Sequence, residues 1–189
     1  VGDVVQALAG ADIGALWNEL EPSGLVQLDA TVRAESWGVH VQPQTLAFSR
    51  AERRVAAHVE RGRVHLNNEG MEIRDLELRS PGQGRGHLDG EATWADATLQ
   101  GRFEFEGPLG GALVGALGGR EFSDVLDAMG YVAGSGDRVN NGRVDLGHLG
   151  AGTTGFVKAD LLLDDAALHP GLEIKHIDAR GQLHIAFNG

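Results

Sequence analysis

The chain has 189 residues, no cysteine, 29 glycines and a formal net charge of -11, which excludes a disulfide framework or Cys-ligated metal centre and leaves it poorly placed to neutralise nucleic-acid phosphates. No run approaches the roughly 18 apolar residues that span a bilayer, and no charged-then-apolar leader opens the sequence. With one tyrosine and six phenylalanines, the apolar surface is built mainly from Val, Leu, Ala and Ile.

A helix is predicted over 3–20, where Val4, Val5, Leu8, Ile13, Leu16, Trp17 and Leu20 recur at spacings of three and four, with Asp3 as its N-cap. The Glu21-Pro22-Ser23-Gly24 stretch stops it. From Leu25 the period changes to two: Val26, Leu28, Ala30 and Val32 share one side, Gln27, Asp29, Thr31 and Arg33 the other. After the Trp37-Gly38 turn a strand runs over 39–48, with Pro43 implying an edge or a break. Val55, Ala57 and Val59 alternate next, followed by Val64 and Leu66, and Asn67-Asn68-Glu69-Gly70 reads as a hairpin loop. Met71 and Ile73 are out of phase with Leu76 and Leu78, which predicts a bulge near Arg74-Asp75. A glycine-rich turn over 80–86 leads to Leu88, Ala92 and Trp94, then to Leu99, Phe103 and Phe105 on one face. Helical spacing returns over 121–132, and strands are predicted at 144–146, 155–163, 167–174 and 181–187.

One five-residue pattern recurs: Gly24-Leu25-Val26-Gln27-Leu28, Gly62-Arg63-Val64-His65-Leu66, Gly101-Arg102-Phe103-Glu104-Phe105, Gly142-Arg143-Val144-Asp145-Leu146 and Gly181-Gln182-Leu183-His184-Ile185. The glycines stand 38, 39, 41 and 39 residues apart, a period typical of arrays whose units bury their apolar faces against neighbours. The opening glycine is expected to form a turn or bulge feeding each strand. The fold class expected is mainly β with two short helical segments, in a repetitive antiparallel sheet. Its superunits are a helix at 3–20 with strands over 25–106, and a helical stretch at 109–133 with strands over 142–188. The lack of an initial Met and a repeat that restarts at Gly181 point to a single repetitive segment of a longer protein.

Constellations that carry chemistry are scarce. His65, His87 and His184 fall on polar strand positions, where solvated imidazoles are expected. Asp164, Asp165 and His169 form an acidic turn without further ligands at a metal-site spacing. Gly82, Gly84 and Gly86 lie between strands, so they lack the helix N-terminus of a phosphate loop. Ser135 lacks the Gly-x-Ser-x-Gly context of a nucleophile elbow. No catalytic set, metal site or cofactor is implied. The apolar face remains: either an ordinary sandwich core, or a curved sheet whose inner surface is open to acyl chains. A lipid conduit must be continuously apolar, because each methylene left in water costs about 0.8 kcal/mol.

The helix ending Leu16-Trp17-Asn18-Glu19-Leu20-Glu21-Pro22-Ser23-Gly24 and running into Val26-Gln27-Leu28-Asp29-Ala30-Thr31-Val32 resembles the unit opening of AsmA-like proteins, as does the phrasing from Gly62-Arg63-Val64-His65-Leu66 through Met71-Glu72-Ile73 and Leu76-Glu77-Leu78 to Gly86-His87-Leu88-Asp89-Gly90. The resemblance implies a strongly curved, taco-like β-groove in a periplasmic protein, tied to the inner membrane by an anchor outside this segment and moving phospholipid towards the outer membrane. Groove-facing candidates are Val26, Leu28, Val32, Val55, Val59, Val64, Leu66, Leu88, Trp94, Leu99, Phe103 and Phe105. The expected partner is a phospholipid or other acyl-chain lipid, without nucleic acid. The alternative is a structural or adhesive cell-surface β-repeat with a closed core.

Overall fold

The structure, a computed structural model, describes residues 21, 23–50, 53–95, 98–111, 114, 122, 124–134, 136–147, 154–169 and 171–188. The helix expected over 3–20 and Ser135 lie outside these residues. The described residues form one open antiparallel sheet of ten strands: β1 (Val26–Val32), β2 (Trp37–Pro43), β3 (Thr45–Arg50), β4 (Arg53–Asn67), β5 (Gly70–Ser80), β6 (Gly84–Thr93), β7 (Thr98–Pro108), β8 (Arg138–Gly147), β9 (Thr154–Leu168) and β10 (Ile174–Asn188). Strand order follows chain order except that β3 lies beside β4, together with β2. A short helix, α1 (124–128), sits in the connection between β7 and β8.

Proline explains the one departure from a plain meander. β2 pairs with the second half of β4, through Val39↔Leu66 and Val41↔Val64, and β3 with the first half, through Leu46↔Ala57 and Phe48↔Val55. Pro43 ends β2 because it has no N–H for the ladder. The gap is bridged by the Gln44 and Thr45 N–H groups donating to the Leu25 carbonyl at 2.8 and 3.3 Å.

The strands are longer than period-two runs alone suggest, because bulges re-phase them. In β5 the register shifts between Ile73 and Leu76, and Asp75 takes φ 50°. The extra residue returns Leu76 and Leu78 to the face of Ile73, as the change of phase predicted. Opposite it in β4 sits Gly62 at φ 119°, where a Cβ would stand 2.5 Å from the Leu76 Cα. Further bulges fall at Asn141 (φ 49°), Asp165 (φ 60°) and His176 (φ 55°).

Two expectations are corrected. The expectation for the repeat glycines holds only in part: Gly24 precedes β1, and Gly62 and Gly142 sit at bulges inside β4 and β8, whereas Gly101 and Gly181 lie within regular pairing of β7 and β10. Likewise 167–174 is not a strand of its own. Residues up to Leu168 continue β9 past a bulge, Ile174 begins β10, and the turn lies between them.

The core is built on one face. Val55, Phe105, Val139, Val144, Val157 and Ala159 are buried with Leu109, Val114 and Phe122 from the β7–β8 connection. Leu126 and Tyr131 pack against the same cluster. A smaller cluster, Ala57, Leu76 and Leu78, continues towards β3 with Leu46, Val59 and Leu88 against it.

Candidate functional site: the apolar face and its polar reverse

Cross-strand register aligns the apolar positions into rows running the width of the sheet. Leu28, Val41, Val64 and Ile73 are successive partners, and the row continues through Gly90 and Gly101 to Leu146. A second row runs Leu76, Leu88, Phe103, Val144, Val157, Ile185. At about 4.8 Å per strand gap, the nine-strand path gives a face about 38 Å across.

The twelve candidate residues divide by environment along that width. Val55 and Phe105 are buried against Phe122 and its neighbours, so the protein's own side chains fill the face there. The Phe105 ring covers Gly142 so closely that a Cβ on the glycine would lie 2.6 Å from the ring. Val59, Val64, Leu66, Leu88, Leu99 and Phe103 are half-buried. Trp94 is half-buried too and is tied into the β4–β5 hairpin, its indole N–H donating to the Asn67 carbonyl at 2.7 Å. Val26, Leu28 and Val32 are exposed on the edge strand β1, Leu28 at 49% and Val32 at 79%. An edge strand that keeps an apolar stripe in water is exceptional, since edges are usually protected by charge, proline or cover.

The reverse face carries charge ladders. One row reads Glu77, His87, Glu104, Arg143, Lys158, His184, and the next Asp89, Arg102, Asp145, Phe156. Asp145 accepts from Arg143, and from Arg102 at 3.2 Å. Burial acts to raise its pKa, but the two guanidinium groups outweigh it and hold the carboxyl below the usual aspartate range. A concavity of about 590 Å³ opens on this face among Glu60, Glu77, Arg85, His87, Glu104 and Arg143. Its exposed ion pairs, such as Arg61–Glu77 and Arg85–Glu106, add little stability each.

Three polar features were not foreseen. His65 is no solvated imidazole: it stacks on His40 with ring centroids 4.3 Å apart, and its Nδ1 is buried without a partner. Asp137 is buried at the end of the β7–β8 connection and accepts from the Tyr131 hydroxyl at 2.5 Å, the Gly134 N–H at 2.7 Å and the Asp164 N–H at 2.5 Å. Burial, then the bond to Asp137, pushes the Tyr131 phenol up. Asp75, His87 and Asp89 converge, their ligand atoms all within 4.8 Å of one another. Asp89 Oδ1 accepts the Asp75 N–H at 2.9 Å and its Oδ2 lies 2.9 Å from His87 Nε2. The bulge N–H, helped by His87 and opposed by burial, holds the Asp89 carboxyl below the usual range. By contrast, Asp164, Asp165 and His169 do not gather. The Asp164 N–H turns to Asp137, Asp165 pairs with His176 at 2.6 Å, and the His169 N–H bonds Met129 and Gly130 carbonyls. His184 is exposed and meets Phe156 edge-on at 5.8 Å.

No described helix is long and apolar enough to cross a membrane. No protein-family profile, curated protein or solved structure matches the chain.

Proposed function

We propose that this chain is a segment of an AsmA-like periplasmic envelope protein whose sheet curves into a taco-like groove and shields phospholipid acyl chains in transit between membranes. The observation that carries the reading is the set of apolar rows held in register across the sheet and left uncovered at β1. Ten or so methylenes held in water would cost about 8 kcal/mol, so a surface for acyl chains must be unbroken, and the row from Leu28 to Ile73 meets that requirement. The filling of the opposite end by Phe122 and Leu109 restricts acyl contact to the β1–β2–β4–β5 side.

A second reading, a structural or adhesive surface β-repeat with a closed core, is favoured by the same packing of Phe122 on Val144 and Val157. A fluorescent phospholipid, titrated against the detergent-free protein, separates the two. Saturable binding that Leu28→Asp abolishes while the thermal melt is retained supports the acyl groove. Absence of binding by a well-folded wild type refutes it.

A further inference from the structure

Equivalent residues at the two ends of the apolar face have different things above them. Val26 and Leu28 of Gly24-Leu25-Val26-Gln27-Leu28 hold the places of Val144 and Leu146 in Gly142-Arg143-Val144-Asp145-Leu146. Val144 is 5% exposed and Leu146 packs against its cluster, whereas Val26 is 42% exposed. The cover over Val144 comes from the stretch that precedes its own glycine: Val114 and Phe122 are buried in the cluster, and Leu126 packs against it.

The first unit carries the same parts in its sequence. Residues 3–20 precede Gly24 as 109–133 precede Gly142, and the spacing of Ile13, Leu16, Trp17 and Leu20 sets an apolar stripe along one side of a helix. Residues 1–20 lie outside the described part, and the chain enters it in line with β1. There the Ser23 N–H donates to the Ala47 carbonyl at 2.8 Å, and the Ala47 N–H donates to the Ser23 carbonyl at 2.7 Å. Ala47 stands on β3 between Leu46 and Phe48, which pack on the two core clusters. An apolar segment thus ends three residues before Val26, beside the stretch of face that has no cover. Laying a helix or loop over a sheet edge is one of the usual ways of protecting it.

We propose that residues 3–20 lie with their apolar side on Val26, Leu28 and Val32, as the β7–β8 connection lies on Val144. The tether holds this segment at a high local concentration, which favours it over a separate partner for the same stripe. The cover is displaceable, because it rests on one edge strand and not in a filled core, and an apolar ligand reaching that end takes its place. Its placement does not depend on the acyl-chain reading, since a closed β-repeat needs the same stripe covered.

The chain has no cysteine, so single introduced thiols report the cover in the delipidated full chain. Val26→Cys is expected to react with a maleimide at least about tenfold more slowly than Gln27→Cys, on the opposite side of the same strand, because reaction waits on opening of the cover. Leu16→Asp with Trp17→Asp should remove the difference, while Val55→Cys at the filled end stays protected and shows the sheet intact. Equal rates at positions 26 and 27 with an unaltered segment overturn the proposal, as does protection at 26 that survives the segment substitutions. Protection that grows with protein concentration assigns the stripe to a second copy and overturns it too. If the segment substitutions also expose position 55, a short thiol crosslinker decides: a link within one chain from Leu16→Cys to Val26→Cys but not to Gln27→Cys supports the cover, and its absence refutes it.

Discussion

Phe105 and Leu28 occupy equivalent places in the recurring pattern, apolar positions on the same face of the sheet, yet they are expected to differ sharply in what they contribute. Phe105 is 3% exposed, packed against Val144 and Phe122 and lying over Gly142 of the neighbouring strand. Truncation to alanine removes the transfer term of a buried aromatic, about 2–3 kcal/mol. It also leaves a cavity that the bare Gly142 backbone cannot fill, for a total loss of about 3–5 kcal/mol. Leu28, at 49% exposure on the edge strand, loses little by the same change, within about 0.5 kcal/mol. Urea unfolding followed by tryptophan fluorescence reads both, with the slope checked for constancy so that the midpoint reports stability. Equal costs for the two truncations would refute the division of the face into a filled end and an open edge.

Gly62→Ala should destabilise the fold by more than about 1 kcal/mol, since φ 119° is strained for any side chain and the new Cβ meets the Leu76 backbone; an unchanged melt would remove the bulge from the account. Asp137→Ala strands the Tyr131 hydroxyl and the Gly134 and Asp164 N–H groups, at an expected loss of about 3 kcal/mol or more in a urea titration. Asp145, with its folded pKa depressed, contributes stability that is complete above the unfolded aspartate value near 4 and is lost as pH falls through the folded value. Asp145→Asn should therefore flatten the acid limb of stability against pH, below about pH 4; superimposable acid limbs would contradict the Arg102 and Arg143 pairing.

Much of the sheet was legible in the sequence because period-two alternation is a direct consequence of pleat geometry. The bulge near Asp75 was visible for the same reason, as a change of phase between Ile73 and Leu76. What alternation cannot reveal is the partner above the face. Val55 and Val26 look alike along the chain, and only the packing of Phe122 and Leu109 on one end separates a core residue from an exposed one. Gly101 and Gly181 were misplaced because a glycine inside regular strand pairing carries the same local signal as one at a turn or bulge. The Asp75, His87 and Asp89 cluster joins two strands through a bulge, so its residues are distant in a linear scan.

The acyl-groove account is tested most directly by purifying the chain without detergent from a lipid-containing host and examining it by native mass spectrometry with lipid extraction. It predicts bound phospholipid in stoichiometric amount, absent from a folded Leu28→Asp variant. A lipid-free wild-type mass, with an intact cooperative melt, would contradict it and leave a closed β-repeat.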